Sequence, residues 1–200
     1  MKVLVIGATG TIGRAVVDEL EAAHEVVRVS RGGSPRADLE DPSSLDALFD
    51  EVSGLDAVVC CAASGPLVDL ADLEGVTDDT FADGLRAKLL GQVALARRAV
   101  RHLRDGGSIT LTGGTFAEPL PGGSLGALVN SGLEGFVTNA AAELPRGLRI
   151  NLVSPGWIRE TLETLEGLGG NGAAGTPVAE VARVYASLVE GAVTGRVVRA

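Results

Sequence analysis

The sequence predicts an α/β fold in which one parallel sheet is covered by helices on both of its faces. Strand-like and helix-like segments alternate along all 200 residues, a pattern typical of doubly wound sheets. Residues 55–62 are almost continuously apolar, as expected for a parallel strand buried on both faces. No repeat or linker interrupts the chain, and 46% of its residues are apolar, enough for one sizeable core. We therefore expect a single domain over residues 1–200.

The elements are predicted in order from the N-terminus. A β-branched strand leads into a glycine turn and an amphipathic helix, and Asp41, Pro42 and Ser43 open a later helix. About seven strands are expected, at residues 2–6, 26–30, 37–39, 55–62, 108–112, 149–153 and 196–199. Helices are expected at residues 11–22, 41–52, 81–103, 124–144 and 178–190. The glycine-rich residues 167–176 follow a strand end, and we interpret them as a flexible lid.

Composition and charge exclude several classes of partner. The net charge of −9 and the pI near 4.7 argue against nucleic acid or an anionic membrane as the main partner. No apolar run reaches the ~18 residues of a membrane helix, and the first strand leaves no room for a signal peptide. Cys60 and Cys61 are adjacent, which makes a mutual disulfide improbable, and no His/Cys spacing indicates a metal site. The sequence therefore predicts a cytoplasmic, metal-free protein.

Three glycines follow the first strand and suggest a phosphate site. Gly7, Gly10 and Gly13 stand at three-residue intervals directly before an amphipathic helix. In such a strand–turn–helix unit the glycines permit the tight turn, the approach of a pyrophosphate and close helix packing, while the helix N-terminus supplies N–H donors. A plain turn with packing glycines is the alternative. The context favours a Rossmann-type dinucleotide site.

The end of the second predicted strand indicates which dinucleotide is bound. Sites that prefer NAD usually carry an acid there, whereas NADP sites place an arginine near the 2′-phosphate. This chain has Ser30 and Arg31 and no acid, and hydroxyl and guanidinium groups both suit a phosphate. A solvated surface arginine is the alternative for Arg31. NADP(H) is the expected cofactor.

Together these segments resemble the short-chain dehydrogenase/reductase family over nearly the whole chain. The glycine spacing is nearer to the extended and atypical branches of that family than to the classical one. The most specific match is the block from residue 133 to residue 156, which includes "LEGF", "AEL" and "RINLVSPG". Asp38 and Leu39 are similar to the pair that contacts adenine, and Cys60 to Ala63 fall where the family has Asn-Asn-Ala-Gly. The resemblance and the strand ends imply this set of cofactor-binding residues: Gly7, Thr9, Gly10, Thr11, Ile12, Gly13, Ser30, Arg31, Asp38, Leu39, Cys61, Ala62, Ala63, Pro155, Gly156, Trp157 and Ile158.

The same resemblance shows departures at all four catalytic positions. The family uses a Tyr and a Lys four residues apart on one helix, a Ser after the preceding strand and an Asn on the long helix. Here the Tyr and Lys positions fall on Gly126 and Asn130, the Ser position on Gly114 and the Asn position on Lys88. The only tyrosine, Tyr185, lies on the last helix and is interpreted as a packing residue. The proton relay of the family is therefore expected to be replaced.

Few residues could substitute for that relay. Lys88 could act as an acid if its surroundings shift its pKa, and Asn130 could order a water. Thr115, together with Thr112, flanks Gly113 and Gly114 and could orient a carbonyl. The alternative for Lys88 is a solvated helix lysine, and for Thr112 and Thr115 it is the ordinary frequency of threonine at strand ends. Glu118 could be an ordinary exposed glutamate, and His102 is interpreted as a structural residue in the last turn of its helix.

Two functions therefore remain open. One is an NADP(H)-dependent oxidoreductase with an unconventional proton donor, acting on a small and apolar substrate walled by Trp157, Ile158, Leu162 and Leu165. The other is a cofactor-binding protein that transfers no hydride, or a non-redox enzyme on the same fold. The resemblance also implies a homodimer or homotetramer, because family members commonly pair through the two long helices.

Overall fold

The computed structural model describes residues 1–62, 67–164 and 175–200. Its elements are the following: β1 (Lys2–Ile6), α1 (Thr11–Glu21), β2 (Glu25–Val29), α2 (Pro42–Glu51), β3 (Leu55–Cys60), α3 (Asp78–Gly84), a π-helical segment (Leu85–Leu90), α4 (Gly91–His102), β4 (Leu103–Thr112), α5 (Ser124–Ala140), β5 (Arg149–Ser154), α6 (Arg159–Thr164), α7 (Val178–Glu190) and β6 (Val197–Arg199). The strands form one sheet in the order β2-β1-β3-β4-β5-β6. Every neighbouring pair is parallel, so the predicted doubly wound α/β fold is confirmed.

The described residues form six strands rather than seven. The strand expected at residues 37–39 is absent, and the nearest pairing is an isolated bridge between Ser30 and Arg36. The backbone of Asp38 is taken up locally instead: its N–H donates to Ser44 Oγ at 2.9 Å and its carbonyl accepts from the same hydroxyl at 3.0 Å. A segment whose polar backbone groups bond to a side chain does not need a sheet partner.

Helices cover both faces of the sheet. On one face α2, α4 and α5 bury residues such as Leu45, Leu95 and Leu133. On the other face α1 and α7 pack on β1 and β3, with Val16 and Tyr185 fully buried. Two apolar layers therefore hold the sheet rigid, and the carboxyl ends of its strands open along one edge, where ligands of such folds bind.

The long helix predicted over residues 81–103 is longer and less regular than expected. It begins at Asp78, where Thr77 caps it through reciprocal bonds with Thr80, and it runs without a break to His102. Its middle turn, Leu85–Leu90, is π-helical. One extra residue in a helical turn changes the direction in which the flanking side chains project, and such turns are frequent at functional sites.

Two other sequence predictions concern segments that bear on function. The expected lid, residues 167–176, lies outside the described residues except at its end, where Thr176 bonds to Trp157 and Arg159 through its backbone at 2.8 and 3.0 Å. Within the described ranges no helix is long and apolar enough to span a bilayer. No cluster of three or more His, Cys, Asp or Glu side chains suited to a metal ion occurs in those ranges either.

Candidate active site

The glycine turn lies between the ends of β1 and β3. Gly7 has φ +80°, and a Cβ there would be 2.7 Å from the backbone N of Ala62. A Cβ on Gly13 would overlap the carbonyl of Gly7. These two glycines are therefore required by the close approach of the turn to α1 and to the end of β3. A Cβ on Gly10 would meet nothing closer than 3.5 Å, so this glycine is not required by packing within the chain.

The start of α1 can accept an anion. Gly10 is its N-cap and has no side chain with which to cap the helix. The first amides of a helix, here those of Thr11, Ile12 and Gly13, lack partners within the helix and carry the positive end of its dipole. The amides of Gly7 and Ala8, by contrast, both donate to Val29 O, at 2.9 and 3.1 Å. The fit to a pyrophosphate is therefore at the helix start, as the sequence predicts.

A cleft of about 460 Å³ adjoins this turn at the end of β2. It is lined by Ala8, Thr9, Arg14, Val17, Asp18, Arg28, Val29, Ser30, Gly33 and Ser34. Ser30 is where the sequence argument places it. Arg31 is exposed and is not among these lining residues. Arg14 and Asp18, which the sequence reasoning did not consider, do line this cleft.

The remaining predicted cofactor residues lie at neighbouring strand ends. Asp38 is partly buried with Oδ1 accepting from Glu40 N at 3.1 Å, and Leu39 packs against Gly91 of α4. At the end of β5, Pro155 O accepts from Thr115 N at 2.9 Å, Gly156 N donates to Ala200 O, and Ile158 is buried beside the exposed Trp157. Ala63 lies outside the described residues.

The two cysteines at the end of β3 are buried free thiols. Burial raises the pKa of Cys60 to about 12 and that of Cys61 well above its usual value. A thiol that stays protonated is neither a nucleophile nor a metal ligand. Cys61 contributes its backbone, whose N–H donates to Ile6 O at 2.8 Å. The two cysteines therefore have a packing role at the end of β3.

Lys88 and Asn130, two of the predicted catalytic residues, are in direct contact. Lys88 projects from the π-helical segment, and its Nζ donates to Asn130 Oδ1 at 3.0 Å and to Gly113 O at 3.1 Å. Burial lowers the pKa of Lys88 from 10.5 to about 8, because the charged form loses its hydration. An ammonium has three donors, so one remains for a further acceptor. No solvated surface lysine has these properties.

Gln92 holds the Lys88 turn against the end of β4, and sequence reasoning missed it. This fully buried side chain donates to Thr112 O at 2.8 Å and accepts from Thr112 N at 2.9 Å. It also donates to Lys88 O at 3.2 Å. A glutamine on the same helix face as the buried Leu95 and Ala99 was the available signal, since buried polar side chains are hydrogen-bonded.

The predicted Ser and Tyr positions are packed by other side chains. A Cβ on Gly114 would be 3.1 Å from Asn130 Nδ2, and a Cβ on Gly126 would be 3.2 Å from the Phe116 ring. Phe116 was not singled out by the sequence analysis. Its ring is in tight contact with the position that a Cβ on residue 126 would take.

A second cleft, of about 570 Å³, opens beside Asn130. It is lined by Gly114, Thr115, Phe116, Ala117, Glu118, Pro119, Leu120, Gly123, Ser124, Ala127, Asn130, Ser131, Glu134 and Arg199. Thr115 and Glu118 thus lie where the sequence places them. Trp157, Ile158 and Leu162, the expected substrate wall, are not among these lining residues, and Leu165 is outside the described part of the chain.

Thr112 and Tyr185 face away from this cleft and bond to each other. The Thr112 hydroxyl is hydrogen-bonded to Cys60 O and to the Tyr185 hydroxyl. Burial raises the pKa of Tyr185 well above its usual value. His102 stacks on Phe49 with ring centroids 5.0 Å apart. The packing of Tyr185 and His102 agrees with their interpretation from the sequence. Thr112, by contrast, was expected to be able to orient a carbonyl, and its hydroxyl is used inside the core instead.

Comparisons with known proteins place the chain in a family. A family model described as enoyl-(acyl carrier protein) reductase matches residues 7–198. The chain is 30% identical to versicolorin reductase stcU of Emericella nidulans over 76% of its own length and 62% of that protein. It is also 30% identical to the short-chain dehydrogenase/reductase GME11373 of Pestalotiopsis microspora, over 76% of the chain and 67% of the relative. It spans less than two thirds of the length of the first curated relatives it matches.

Solved structures agree with this relationship. The protein lin1944 from Listeria innocua is 35% identical, with a TM-score of 0.93 over 100% of this chain and 98% of that one. A small-chain dehydrogenase solved in complex with NADPH shares the fold at 22% identity, with a TM-score of 0.86 over 100% of this chain and 96% of that one. The chain therefore belongs to the short-chain dehydrogenase/reductase family.

Proposed function

We propose that this protein is an NADP(H)-dependent oxidoreductase that interconverts a carbonyl and an alcohol on a small, apolar substrate, with Lys88 as its proton donor. The observation that carries the proposal is the contact of the partly buried Lys88 ammonium with Asn130 and Gly113 at the carboxyl edge of the sheet. Family membership supports the reaction class, and curated relatives are named as reductases. NADPH or NADP is bound in the solved structures of several more distant relatives.

The chain has groups that fit the two ends of the cofactor. The helix-start amides of Thr11, Ile12 and Gly13 would hold the pyrophosphate, and the cleft that contains Ser30 would receive the adenosine side. Residues 155–158 would line the opposite end. When bound, the reduced nicotinamide supplies a hydride to the carbonyl carbon.

Lys88 would supply the matching proton. Its ammonium would donate to the substrate oxygen as the carbonyl π bond opens, so that an alcohol forms rather than an alkoxide. The resulting neutral amine then takes a proton from solvent. A pKa near 8 makes the ammonium a better acid than an ordinary lysine while keeping most of it protonated at neutral pH.

Asn130 and Thr115 would serve the same step differently. Asn130 accepts a hydrogen bond from Lys88 and so fixes the direction of the ammonium; it is a positioning residue. Thr115 lines the cleft beside it, and its hydroxyl is available to bond the substrate oxygen. In the opposite reaction the neutral amine of Lys88 would accept the alcohol proton.

Binding of the cofactor without turnover is the second candidate function. It is favoured by the position of Phe116, whose ring covers Gly126, and by the burial of Tyr185 against Thr112. No phenol therefore reaches the cleft from the described residues. General acid–base catalysis contributes typically 10²–10⁴-fold, so a protein without it would bind NADPH and scarcely oxidise it.

One experiment separates the two functions. Wild type, Lys88→Met and the control Lys2→Met are titrated with NADPH and then followed for NADPH oxidation with a panel of aldehydes and ketones. The proposal predicts similar NADPH affinity for all three, turnover by wild type and the control, and at least a 100-fold loss in Lys88→Met. NADPH binding with no turnover of any carbonyl would establish the second function. Equal turnover in wild type and Lys88→Met would remove Lys88 from the mechanism.

A further inference from the structure

We propose that Arg14 of α1, rather than an arginine at the end of β2, is the residue by which this protein distinguishes NADPH from NADH. The inference rests on the proposed cofactor site and adds the group that would hold the phosphate on the adenosine ribose. It concerns cofactor specificity and is independent of whether hydride transfer occurs.

The cleft beside the glycine turn has two walls. The α1 wall presents Arg14, Val17 and Asp18. Val17 and Asp18 follow Arg14 by three and four residues, so both lie on the same helix face as Arg14. The opposite wall is the segment that follows β2, with Ser30, Gly33 and Ser34. A Cβ on Gly33 would be 2.8 Å from Ser30 Oγ, so glycine at this position leaves that hydroxyl room.

Three backbone amides of the turn are already used within the chain. The amides of Gly7 and Ala8 both donate to Val29 O, and the amide of Gly10 donates to Gly7 O at 3.1 Å. The side-chain donors along the walls are the hydroxyls of Thr9, Ser30 and Ser34 and the arginine guanidinium groups. A ribose phosphate carries nearly two negative charges at neutral pH, so it requires at least one cation.

Only one arginine of this cleft has a guanidinium free of carboxylate partners among the described residues. Arg28 is bound by both carboxylate oxygens of Glu21, at 2.9 and 2.6 Å, which neutralises it. Arg14 forms no ion pair within the described ranges, and it lies one turn into α1, where the helix dipole adds to its charge. Arg31 is exposed and lines no part of the cleft. Arg14 is therefore the available cation.

Asp18 allows a second test, in which the expected effect on affinity is opposite in sign to that of Arg14. It lies one helical turn after Arg14 on the same wall, and its charge would repel a phosphate bound there. Removing that charge should strengthen binding of ligands that carry a 2′-phosphate on the adenosine ribose. It should not change the affinity for ligands that lack this phosphate. A purely structural role for this wall would not produce effects of opposite sign at neighbouring positions.

The test uses calorimetry to compare the dissociation constants of this protein for NADPH and NADH, and for the fragments adenosine 2′,5′-bisphosphate and 5′-AMP. Arg14→Gln should weaken NADPH and the bisphosphate about tenfold and change NADH and 5′-AMP less than twofold. Asp18→Asn should strengthen the binding of NADPH and the bisphosphate, the two ligands with a 2′-phosphate, two- to threefold. Arg36→Gln, which removes the same charge from the segment after β2, is the matched control and should change no affinity more than twofold. Unfolding temperatures establish that each variant is folded.

The outcomes separate this inference from the proposed function. Loss of the preference in Arg31→Gln but not in Arg14→Gln would overturn it, as would equal wild-type affinities for the bisphosphate and 5′-AMP. An Arg14-dependent preference for NADPH without oxidation by any carbonyl would support the inference and refute the oxidoreductase. If wild type binds none of the four ligands, both proposals fail.

Discussion

At the scale of single residues, the proposed mechanism depends on the contact between Lys88 and Asn130. The resemblance places an asparagine where the lysine of the relay is expected, and a lysine where the asparagine is expected; the structure brings these two residues to 3.0 Å. An ammonium and an amide therefore remain in the crevice, but each reaches it from the other helix. On this resemblance the exchange keeps a titratable cation beside Gly113, and the loss of the phenol is a separate change, at Gly126.

The ionisation of Lys88 can be measured directly, because the sequence contains only two lysines, Lys2 and Lys88. Reductive methylation with ¹³C-formaldehyde of a Lys2→Arg variant leaves one lysine signal in the NMR spectrum. We expect that signal to titrate near pH 8, since burial disfavours the ammonium. A midpoint above pH 10 would show that Lys88 is solvated and would contradict its contacts with Asn130 and Gly113.

The same ionisation sets the pH dependence of any reductase activity. The acid form of Lys88 is lost as the pH rises through about 8, so the rate of carbonyl reduction should fall about tenfold for each unit above that value. Alcohol oxidation requires the neutral amine and should rise over the same range. Lys88→Arg, which stays charged, should lose the inflection. A wild-type profile that is flat from pH 7 to 9.5 would count against Lys88.

At the scale of secondary structure, Gln92 joins α4 to β4 across the sheet face. Its amide satisfies both polar backbone groups of Thr112 at the buried strand end. Gln92→Leu keeps the approximate volume and leaves those groups unpaired, which should cost about 2–4 kcal/mol of unfolding free energy. Arg97→Leu, an exposed position on the same helix, should change it by less than about 0.5 kcal/mol. Urea denaturation measures both; equal values would mean that Thr112 finds other partners.

The packing of Phe116 and Lys88 also determines how the family's relay could be restored. Gly114→Ser, Gly126→Tyr and Asn130→Lys together should fail, because the tyrosine would meet the Phe116 ring and the new lysine would face the ammonium of Lys88. Adding Phe116→Ala and Lys88→Asn removes both conflicts. We expect this five-residue variant to reduce ketones about 10²-fold faster than the three-residue variant.

NADPH oxidation and the unfolding temperature are measured for both proteins in parallel. If the three-residue variant is as stable and as active as the five-residue variant, the Phe116 ring does not block a side chain on residue 126. Single restorations should do much less than the full set, because groups of one relay act as a unit.

At the scale of the whole molecule, the sequence was sufficient for the fold and for the glycine turn. Regular alternation of strands and helices and the apolar β3 segment follow from local patterns, so the doubly wound sheet was predictable. The contact of Lys88 with Asn130 was not, because it depends on a π-helical turn and on the relative placement of two helices 42 residues apart in sequence. The strand expected at residues 37–39 does not form because the nearby Ser44 hydroxyl bonds to both backbone groups of Asp38.

Assembly is the remaining prediction at this scale, and we expect a homodimer, or a dimer of dimers, formed through α4 and α5. Two small residues of these helices are already used within the chain: Gly91 packs on Leu39 and Gly126 on Phe116, so neither is available to a partner. The exposed face of α5 instead presents Leu128, 49% exposed, with Ser131 and Gly135 one and two turns further along.

An exposed leucine on such a helix face is stabilised when a second copy covers it, and an isologous contact would pair Leu128 near the two-fold axis. Leu128→Lys should therefore shift the mass measured by light scattering at micromolar concentration from dimer to monomer, since two like charges would meet at the axis. Leu73→Lys, at an even more exposed leucine outside these helices, should leave the mass unchanged. A wild-type monomer, or a dimer lost only in the Leu73 variant, would show that α5 is not the contact surface.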